Sequence, residues 1–365
     1  MVLLAVGFNL ARHKPLWTDE IYSQTVSVEK FSYPEILLGK VNEGNTCPLF
    51  YLIQKMICDV TQFKTAPSGS EPWDHRAQIL LRVSPVFFMS LSITGIFYYF
   101  FRFYSFWAGV YSLFIALSTP MVWLYWAESR PYALWFFLTT VQSLLFLVIV
   151  RGKDPNPRAW NWLVIVHWLL SLTVITSFGQ VIVVSSLLWA FKEKRLKKQI
   201  CLSVLPVFIC CYYYFFSSLS SLWVPDNFMK LIYPSLSVQQ IGLIAIYIFF
   251  SFVYYSRVRD VQNFPIIIRE GRNYLALTIL MFIVAFAYLV FYKLRETTGH
   301  AGHELPVRQF IFLAPVGIIA TVLFSLELIR VVKNHPWLQV NVILAFSGLM
   351  VVHFLRNGFS IIGIY

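Results

Sequence analysis

Residues 131–150 read Pro-Tyr-Ala-Leu-Trp-Phe-Phe-Leu-Thr-Thr-Val-Gln-Ser-Leu-Leu-Phe-Leu-Val-Ile-Val and contain no charged side chain. A helix of about 20 apolar residues crosses a bilayer and satisfies its backbone polar groups internally. Similar runs recur along the 365 residues, of which 58% are hydrophobic and only 13% charged, whereas soluble domains carry about 25% charged residues. The sequence therefore predicts an all-α, polytopic transmembrane protein with about ten or eleven spans.

The predicted spans and loops form one domain over residues 1–365. The spans are residues 79–101, 107–126, 131–150, 159–177, 179–191, 199–217, 239–256, 274–292, 309–329 and 337–355, and residues 1–12 resemble the end of a further span. Residues 12–78 form the first outer loop, and residues 79–365 hold the remaining spans. Within this loop, amphipathic helices are expected to lie on the membrane, because its apolar stretch 48–60 is too short to cross.

Charge placement predicts the orientation of these spans. If residues 12–78 face outside, the inner connections lie around residues 102, 151–158, 192–198, 257–272 and 330–333. Those connections and Glu327 hold 15 of the 29 Lys and Arg but only 5 of the 17 Asp and Glu. Excess Lys and Arg belong on the cytoplasmic side. We therefore expect a multi-pass protein whose residues 12–78 face outside, and the net charge of +12 is mostly a topology signal rather than a sign of nucleic-acid binding.

The first outer loop contains an acidic pair in the segment Trp17-Thr-Asp-Glu-Ile-Tyr-Ser23. Asp19 and Glu20 are neighbours, so on a helix they point about 100° apart and do not share one proton. One carboxylate could act on a substrate hydroxyl while the other holds a helix end or a cation. The alternative is a helix cap, in which Thr18 or Asp19 accepts a hydrogen bond from a following backbone N–H.

A second charged group lies between two spans, in Trp126-Ala-Glu-Ser-Arg-Pro-Tyr132. Glu128 and Arg130 could form a local ion pair, with Pro131 beginning the next helix. Alternatively, Arg130 is placed to hold a phosphate with two parallel hydrogen bonds at the membrane surface. The sequence alone favours neither interpretation.

A third group of polar residues lies at the outer end of a late span. His300, His303 and Glu304 are spaced like metal ligands, but the neighbouring glycines favour a mobile loop that binds nothing, and no metal site is predicted. Arg308 could extend its charge to the membrane surface or contact a phosphate. Cys47 and Cys58 share the first outer loop, and their spacing neither supports nor excludes a disulfide.

The order of these motifs resembles the bacterial membrane glycosyltransferases related to protein O-mannosyltransferases and the lipid A aminoarabinose transferase, which share the GT-C fold. The matching segments are Trp-x-Asp-Glu at 17–20, Asn-Thr-Cys-Pro-Leu-Phe-Tyr-Leu at 45–52, Leu-Arg-Val-Ser-Pro at 81–85, Glu-Ser-Arg-Pro-Tyr at 128–132, and Arg308 followed by Phe310 and Pro315. Relatives often read His-Pro-Pro where this chain has Thr46-Cys-Pro48, so any contact made by that His is in doubt.

The resemblance implies a protein of the bacterial inner (plasma) membrane that transfers a sugar from a polyprenyl-phosphate carrier to a glycan, lipid or protein acceptor on the non-cytoplasmic face, by one inverting displacement. Asp19 matches the general base, and Glu20 would orient the acceptor or the neighbours of Asp19. Arg130 and Arg308 would contact the lipid phosphate, with Arg82 and Lys55 as second candidates. Glu128 and Tyr132 belong to the same binding group. A divalent cation could assist, and no cofactor is certain from the sequence.

Two other classes of function remain as alternatives. A transporter or flippase of a lipid-linked or anionic molecule would place ionisable residues near the bilayer midplane and would carry broken helices in paired halves. In this sequence the charges lie mostly at span ends. A structural membrane protein would leave three charged outer motifs unexplained.

Overall fold

The structure is a computed structural model that describes residues 1–41, 47–63, 75–152, 157–191, 197–217, 266–297 and 310–331, together with short stretches between residues 337 and 355. In these parts of the chain all regular structure is helical, which confirms the predicted all-α class. The helices are α1 Val2–His13, α2 Thr18–Tyr22, α3 Tyr33–Leu37, α4 Leu49–Thr61, α5 His75–Leu81, α6 Val83–Phe103, α7 Phe106–Leu117, α8 Pro120–Trp126, α9 Tyr132–Arg151, α10 Pro157–Ser171, α11 Ser177–Phe191, α12 Lys197–Ser217, α13 Ile266–Thr297 and α14 Leu313–Val331. A π-helical segment, Ser23–Glu29, continues α2.

Four helices of the described chain are long and apolar enough to cross a membrane, in segments Val83–Phe103, Tyr132–Arg151, Glu270–Tyr288 and Leu313–Arg330. Each overlaps a predicted span. The apolar helices Val2–His13, Ser177–Phe191 and Ile200–Tyr214 are shorter. The predicted span 239–256 lies outside the described residues. The chain is therefore a multi-pass membrane protein, and the total of ten or eleven spans stays a prediction.

The predicted span 107–126 is not one straight helix. It forms α7 and α8, which meet at an angle of 71° and would together make a fifth, bent span. Pro120 is the first residue of α8, where its missing N–H and fixed φ suit a helix start. The hydroxyl of Thr119 bonds to the Ile115 carbonyl at 2.9 Å, which satisfies one orphan acceptor at the end of α7.

The helix ends gather into two groups that match the predicted alternation of spans. At one end, Arg151 forms an ion pair with the buried Glu270 (3.3 Å) and donates to the Phe103 carbonyl (3.4 Å), so three connections predicted to be inner lie together. At the other end, the backbone N–H groups of Cys47 and Leu49 donate to carbonyls of residues 172 and 173, which joins the first loop to the far end of α10. Exposed Trp107, Trp162 and Trp189 lie near the first end.

The first loop forms short helices, as the sequence predicts. α3 and the 13-residue α4 pack together, and α4 ends at Gln62, whose φ of 53° lies in the left-handed region. Exposed apolar side chains on and beside these helices, Leu37, Leu38, Met56 and Val60, suit contact with lipid. Both Cys47 and Cys58 are free thiols in this structure, and Cys47 packs with Cys211 and Tyr214 instead.

Candidate active site

The acidic motif lies in α2, the short helix that follows α1 in the chain. Trp17 is the N-cap residue of α2, and its backbone N–H donates to Glu20 Oε2 at 3.0 Å. The alternative interpretation placed the cap on Thr18 or Asp19, and the structure corrects this. Glu20 lies three residues after the N-cap, and its carboxylate accepts a hydrogen bond from the N–H of the N-cap residue, as in a capping box.

Glu20 and Arg82 form a buried ion pair. Arg82 Nη2 lies 2.6 Å from Glu20 Oε2, Arg82 Nε lies 2.9 Å from Oε1, and both side chains are fully buried. Two parallel N–H···O bonds of this kind are the strongest geometry available to an arginine and a carboxylate. Glu20 therefore holds two segments of the chain together.

Arg82 also binds the residues that follow α1. Its Nη1 donates to the carbonyls of Ala11 and Lys14, and its Nη2 donates to the carbonyl of Pro15 at 2.8 Å. With the two bonds to Glu20, all five N–H donors of the guanidinium are directed to protein oxygens. The structure therefore does not support Arg82 as a phosphate contact.

The second charged motif is hydrogen-bonded to the first through a backbone N–H group. The Ser129 N–H donates to Glu20 Oε1 at 2.6 Å, and the Arg130 N–H bonds to the Glu128 carbonyl at 2.8 Å, which tightens the turn before α9. Arg130 Nη1 reaches Ser23 Oγ and lies 3.4 Å from the Asp19 carbonyl. The sequence motifs at 17–23, 81–85 and 128–132 thus converge in one buried network.

Asp19 lies at the edge of this network. It is half-buried, whereas Glu20 beside it is only 1% exposed, as expected for adjacent helical positions that point in different directions. Glu20 is occupied by backbone and guanidinium donors, so Asp19 is the more accessible carboxylate of the pair. Arg130 is 7% exposed, and its Nη1 contacts the backbone carbonyl of Asp19 in the same short helix.

Lys14 is a member of the network that sequence reasoning missed. It is 9% exposed, and its Nζ donates to the Leu124 carbonyl at 2.7 Å. Burial lowers the pKa of Lys14, and the nearby carboxylates of Glu128 and Glu20 oppose this shift. A lysine between an apolar segment and an acidic motif carries no distinctive pattern, so only its burial reveals it.

The remaining predicted residues fall into two groups. Lys55 donates to the Val28 carbonyl at 3.1 Å and covers the Tyr33 ring, so its contacts belong to the interfacial helices. Arg308, His300, His303 and Glu304 lie outside the described residues. Among the residues that the structure does describe, no cluster of His, Cys, Asp or Glu could hold a metal ion.

Tyr132 connects the network to the interior of the bundle. The Arg130 guanidinium lies 5.8 Å from its ring, and the ring of Tyr125 packs on it at 5.0 Å. One turn further along α9, Trp135 stacks on Phe312 at 5.5 Å. Phe312 follows Arg308 closely in sequence, so the start of α9 packs beside the segment that leads into α14.

Solved structures similar to this chain are membrane glycosyltransferases. ArnT from Cupriavidus metallidurans bound to undecaprenyl phosphate superposes with a TM-score of 0.56 at 12% identity, over 100% of this chain and 73% of that chain. Its apo state gives a TM-score of 0.54 at 13% identity, over 100% and 72%. The apo oligosaccharyltransferase of Archaeoglobus fulgidus gives 0.52 at 10% identity, over 99% and 55%.

This chain has the GT-C fold. The predicted resemblance is confirmed at this level, because similarity at such low identity establishes a fold rather than an activity. No protein-family model and no curated protein sequence matches the chain.

Proposed function

We propose that this protein transfers a sugar from a polyprenyl-phosphate carrier to an acceptor hydroxyl on the non-cytoplasmic face of the membrane. The observation that carries the proposal is the network in which Glu20 binds Arg82 and the Ser129 N–H while Arg130 contacts the Asp19 carbonyl. The network joins the backbone of Asp19, the more accessible of the two acidic residues, to the largely buried Arg130. A membrane enzyme that joins an acceptor hydroxyl to a lipid-linked sugar needs this pair.

Asp19 is the proposed general base. Its carboxylate takes the proton of the acceptor hydroxyl as that oxygen attacks the anomeric carbon. The bond between the anomeric carbon and the phosphate oxygen breaks, and the lipid phosphate departs with the electron pair. Attack from the side opposite to the phosphate inverts the anomeric centre.

Arg130 is the proposed contact of the departing phosphate. A guanidinium held in a largely dehydrated site stabilises the charge that develops on the leaving oxygen. The contact of its Nη1 with Ser23 and its position over Tyr132 fix the side chain between α2 and α9. Arg308 is proposed as a second phosphate contact because its segment leads to Phe312, which packs on α9.

Four further residues complete the proposed site. Glu20 and Arg82 act as positioning residues, since their bonds set the distance between α2 and the turn before α9. Lys14 and Glu128 add a second pair of opposite charges next to them. The bound undecaprenyl phosphate of the similar ArnT structure supports a polyprenyl-phosphate lipid as the class of donor carrier.

The test is transfer from a radiolabelled pool of polyprenyl-phosphate sugars in membranes that contain wild-type protein or Asp19→Asn at equal expression. We expect labelled product with the wild type and none with the variant. The matched control is Asp59→Asn, because Asp59 is an exposed carboxylate of the same loop whose partner is Tyr33 (2.6 Å). Full transfer by Asp19→Asn would exclude Asp19 as the base, and absence of product from the wild type with every sugar lipid offered would count against the transferase.

A further inference from the structure

Cys47 is attached to the corner that joins α10 to α11, residues 172–176. Its backbone N–H donates to the Thr173 carbonyl at 3.0 Å, and the residue is only 1% exposed. Burial raises the pKa of the Cys47 thiol, and the neighbouring thiols of Cys211 and Cys210 raise it further. One cysteine of the first outer loop therefore lies close to two cysteines of α12.

Cys211 reaches the same corner from α12. Its thiol lies beside Ser177 and the backbone of Phe178, the two residues that begin α11 directly after the corner. Cys47 and Cys211 thus contact the two sides of one short turn. Both are buried members of a small apolar cluster, whose other members are Ile175, Val181, Val207 and Tyr214.

Hydrogen bonds close to Cys211 hold the first loop and α12 together. The Tyr214 hydroxyl donates to the Leu37 carbonyl at 2.8 Å, and the Tyr213 hydroxyl donates to the Leu38 carbonyl at 3.1 Å. Tyr214 follows Cys211 by three residues, so it lies on the same face of the helix. The approach of the two cysteines therefore does not depend on the thiols themselves.

Cys58 lies in a different part of the protein interior. It belongs to the large core of the helical bundle, and its Sγ accepts a hydrogen bond from Gln24 Nε2 at 3.3 Å. The spacing of Cys47 and Cys58 in the sequence left a disulfide between them open. The structure instead brings Cys47 to a cysteine of α12.

We propose that Cys47 and Cys211 form a disulfide that fixes the first outer loop to α12 on the non-cytoplasmic side of the membrane. Disulfides form and persist in oxidising compartments such as the bacterial periplasm, and they are rare in the cytosol. The proposal thus rests on the predicted orientation, in which residues 12–78 face outside. It is independent of the proposed transferase.

The oxidant is a protein or small-molecule disulfide of the outer compartment. Before the loop packs, the Cys47 thiolate attacks one sulfur of that disulfide, and the other sulfur leaves as a thiolate. The Cys211 thiolate then attacks the Cys47 sulfur, and the second oxidant sulfur leaves. The two cysteines give up two protons and two electrons, and the oxidant becomes two thiols. Once the cluster has packed, burial shields the new bond from thiols in solution.

The test is peptide mapping of the wild-type protein from bacterial membranes, with free thiols blocked by N-ethylmaleimide during lysis and no reductant added. Trypsin separates Cys47, in residues 41–55, from Cys58, in residues 56–64. We expect the first fragment to be cross-linked to residues 199–230, and the second to carry the maleimide. In a host strain without its periplasmic thiol oxidase, we expect the maleimide on Cys47 as well.

Two variants identify the partner, because Cys210 and Cys211 share one tryptic fragment. Cys210→Ala should keep the cross-link, and Cys211→Ala should lose it. A disulfide that closes a long loop also stabilises the fold, so a reductant should lower the unfolding temperature of the wild type in detergent by about 5 °C. The matched control Cys58→Ala should show the same shift, whereas Cys47→Ala should show none.

Three results would overturn this inference. They are a maleimide-labelled Cys47 in the strain that has its thiol oxidase, a cross-link between Cys47 and Cys58, and a cross-link that persists in Cys211→Ala. Each is read from peptide masses without any sugar transfer. The disulfide can therefore fail while the transferase stands, and the transferase can fail while the disulfide stands.

Discussion

Arg82 Nη2 lies 2.6 Å from Glu20 Oε2, and this fully buried pair joins residues that are 62 positions apart in the chain. The same carboxylate binds the N–H groups of Trp17 and Ser129. Glu20 therefore connects the start of α2 with the start of α6 and with the turn before α9. The candidate base, Asp19, is the next residue in sequence, so its position depends on this pair.

Substitutions of Glu20 and Arg82 should have strongly coupled effects on the free energy of unfolding. Arg82→Met or Glu20→Gln leaves the other charge buried without its partner, which costs about 3–5 kcal/mol. We expect the double variant to lose less than the sum of the two single losses. Thermal unfolding of the four proteins in detergent measures this coupling.

The control for this cycle is Lys40→Met, because the ion pair of Lys40 and Glu35 (3.0 Å) is exposed to water and should contribute little to stability. Additive losses in the Glu20 and Arg82 variants would show that the pair does not act as one unit.

Arg130 should determine the affinity for the lipid phosphate. A hydrogen bond to a charged group contributes about 1.5–3 kcal/mol, so Arg130→Met should weaken the binding of undecaprenyl phosphate by about tenfold or more. Arg130→Lys keeps the charge but loses the paired donors and should fall between wild type and Met. Ser23→Ala, which removes only a contact of Arg130, should have a smaller effect. An unchanged dissociation constant in Arg130→Met would remove Arg130 from the phosphate site.

Lys14 should make the stability of the protein depend on pH. Burial lowers its pKa below the usual value of 10.5, so the unfolded chain binds this proton more tightly than the folded chain. The contribution of Lys14 to the free energy of unfolding is lowest below its folded-state pKa and rises with pH up to the unfolded value. The measurement is the unfolding midpoint of wild type minus that of Lys14→Met, which we expect to increase as the pH rises towards 10.5. A difference that falls over this range would contradict the lowered pKa.

Gly7 should be intolerant of a side chain. A Cβ atom there would lie 2.6 Å from Trp126 Nε1 and 2.7 Å from a methyl group of Val86, so α1 could not keep its close approach to α6 and α8. Gly7→Ala should therefore lower the unfolding temperature despite the better helix propensity of alanine. Gly95→Ala is the control, because the nearest atom, on Leu144, is at 3.6 Å. We expect this second variant to be neutral or stabilising, and equal effects of the two would contradict the close packing of α1.

The orientation in the membrane can be tested with single cysteines in a background without the five natural ones. We expect a membrane-impermeant thiol reagent to label Thr18→Cys in intact cells and to label Lys194→Cys only after the membrane is opened, because the basic run 192–198 should face the cytoplasm. Labelling of Lys194→Cys from outside intact cells would reverse the topology.

The sequence by itself determined the membrane class, the positions of the four longest spans and the three motifs that converge on the candidate site. An uncharged run such as residues 131–150 crosses a bilayer as a helix, and charged turns such as Glu128–Tyr132 mark the ends of such helices in the sequence. Only the tertiary structure decided which acidic residue is buried, since Asp19 and Glu20 are equivalent in a sequence motif. It also removed Arg82 from the phosphate contacts, added Lys14 and brought Cys47 to Cys211. Local patterns report hydrophobicity and helix ends, whereas a hydrogen bond between residues 109 positions apart, such as that from Ser129 to Glu20, exists only once the helices have packed.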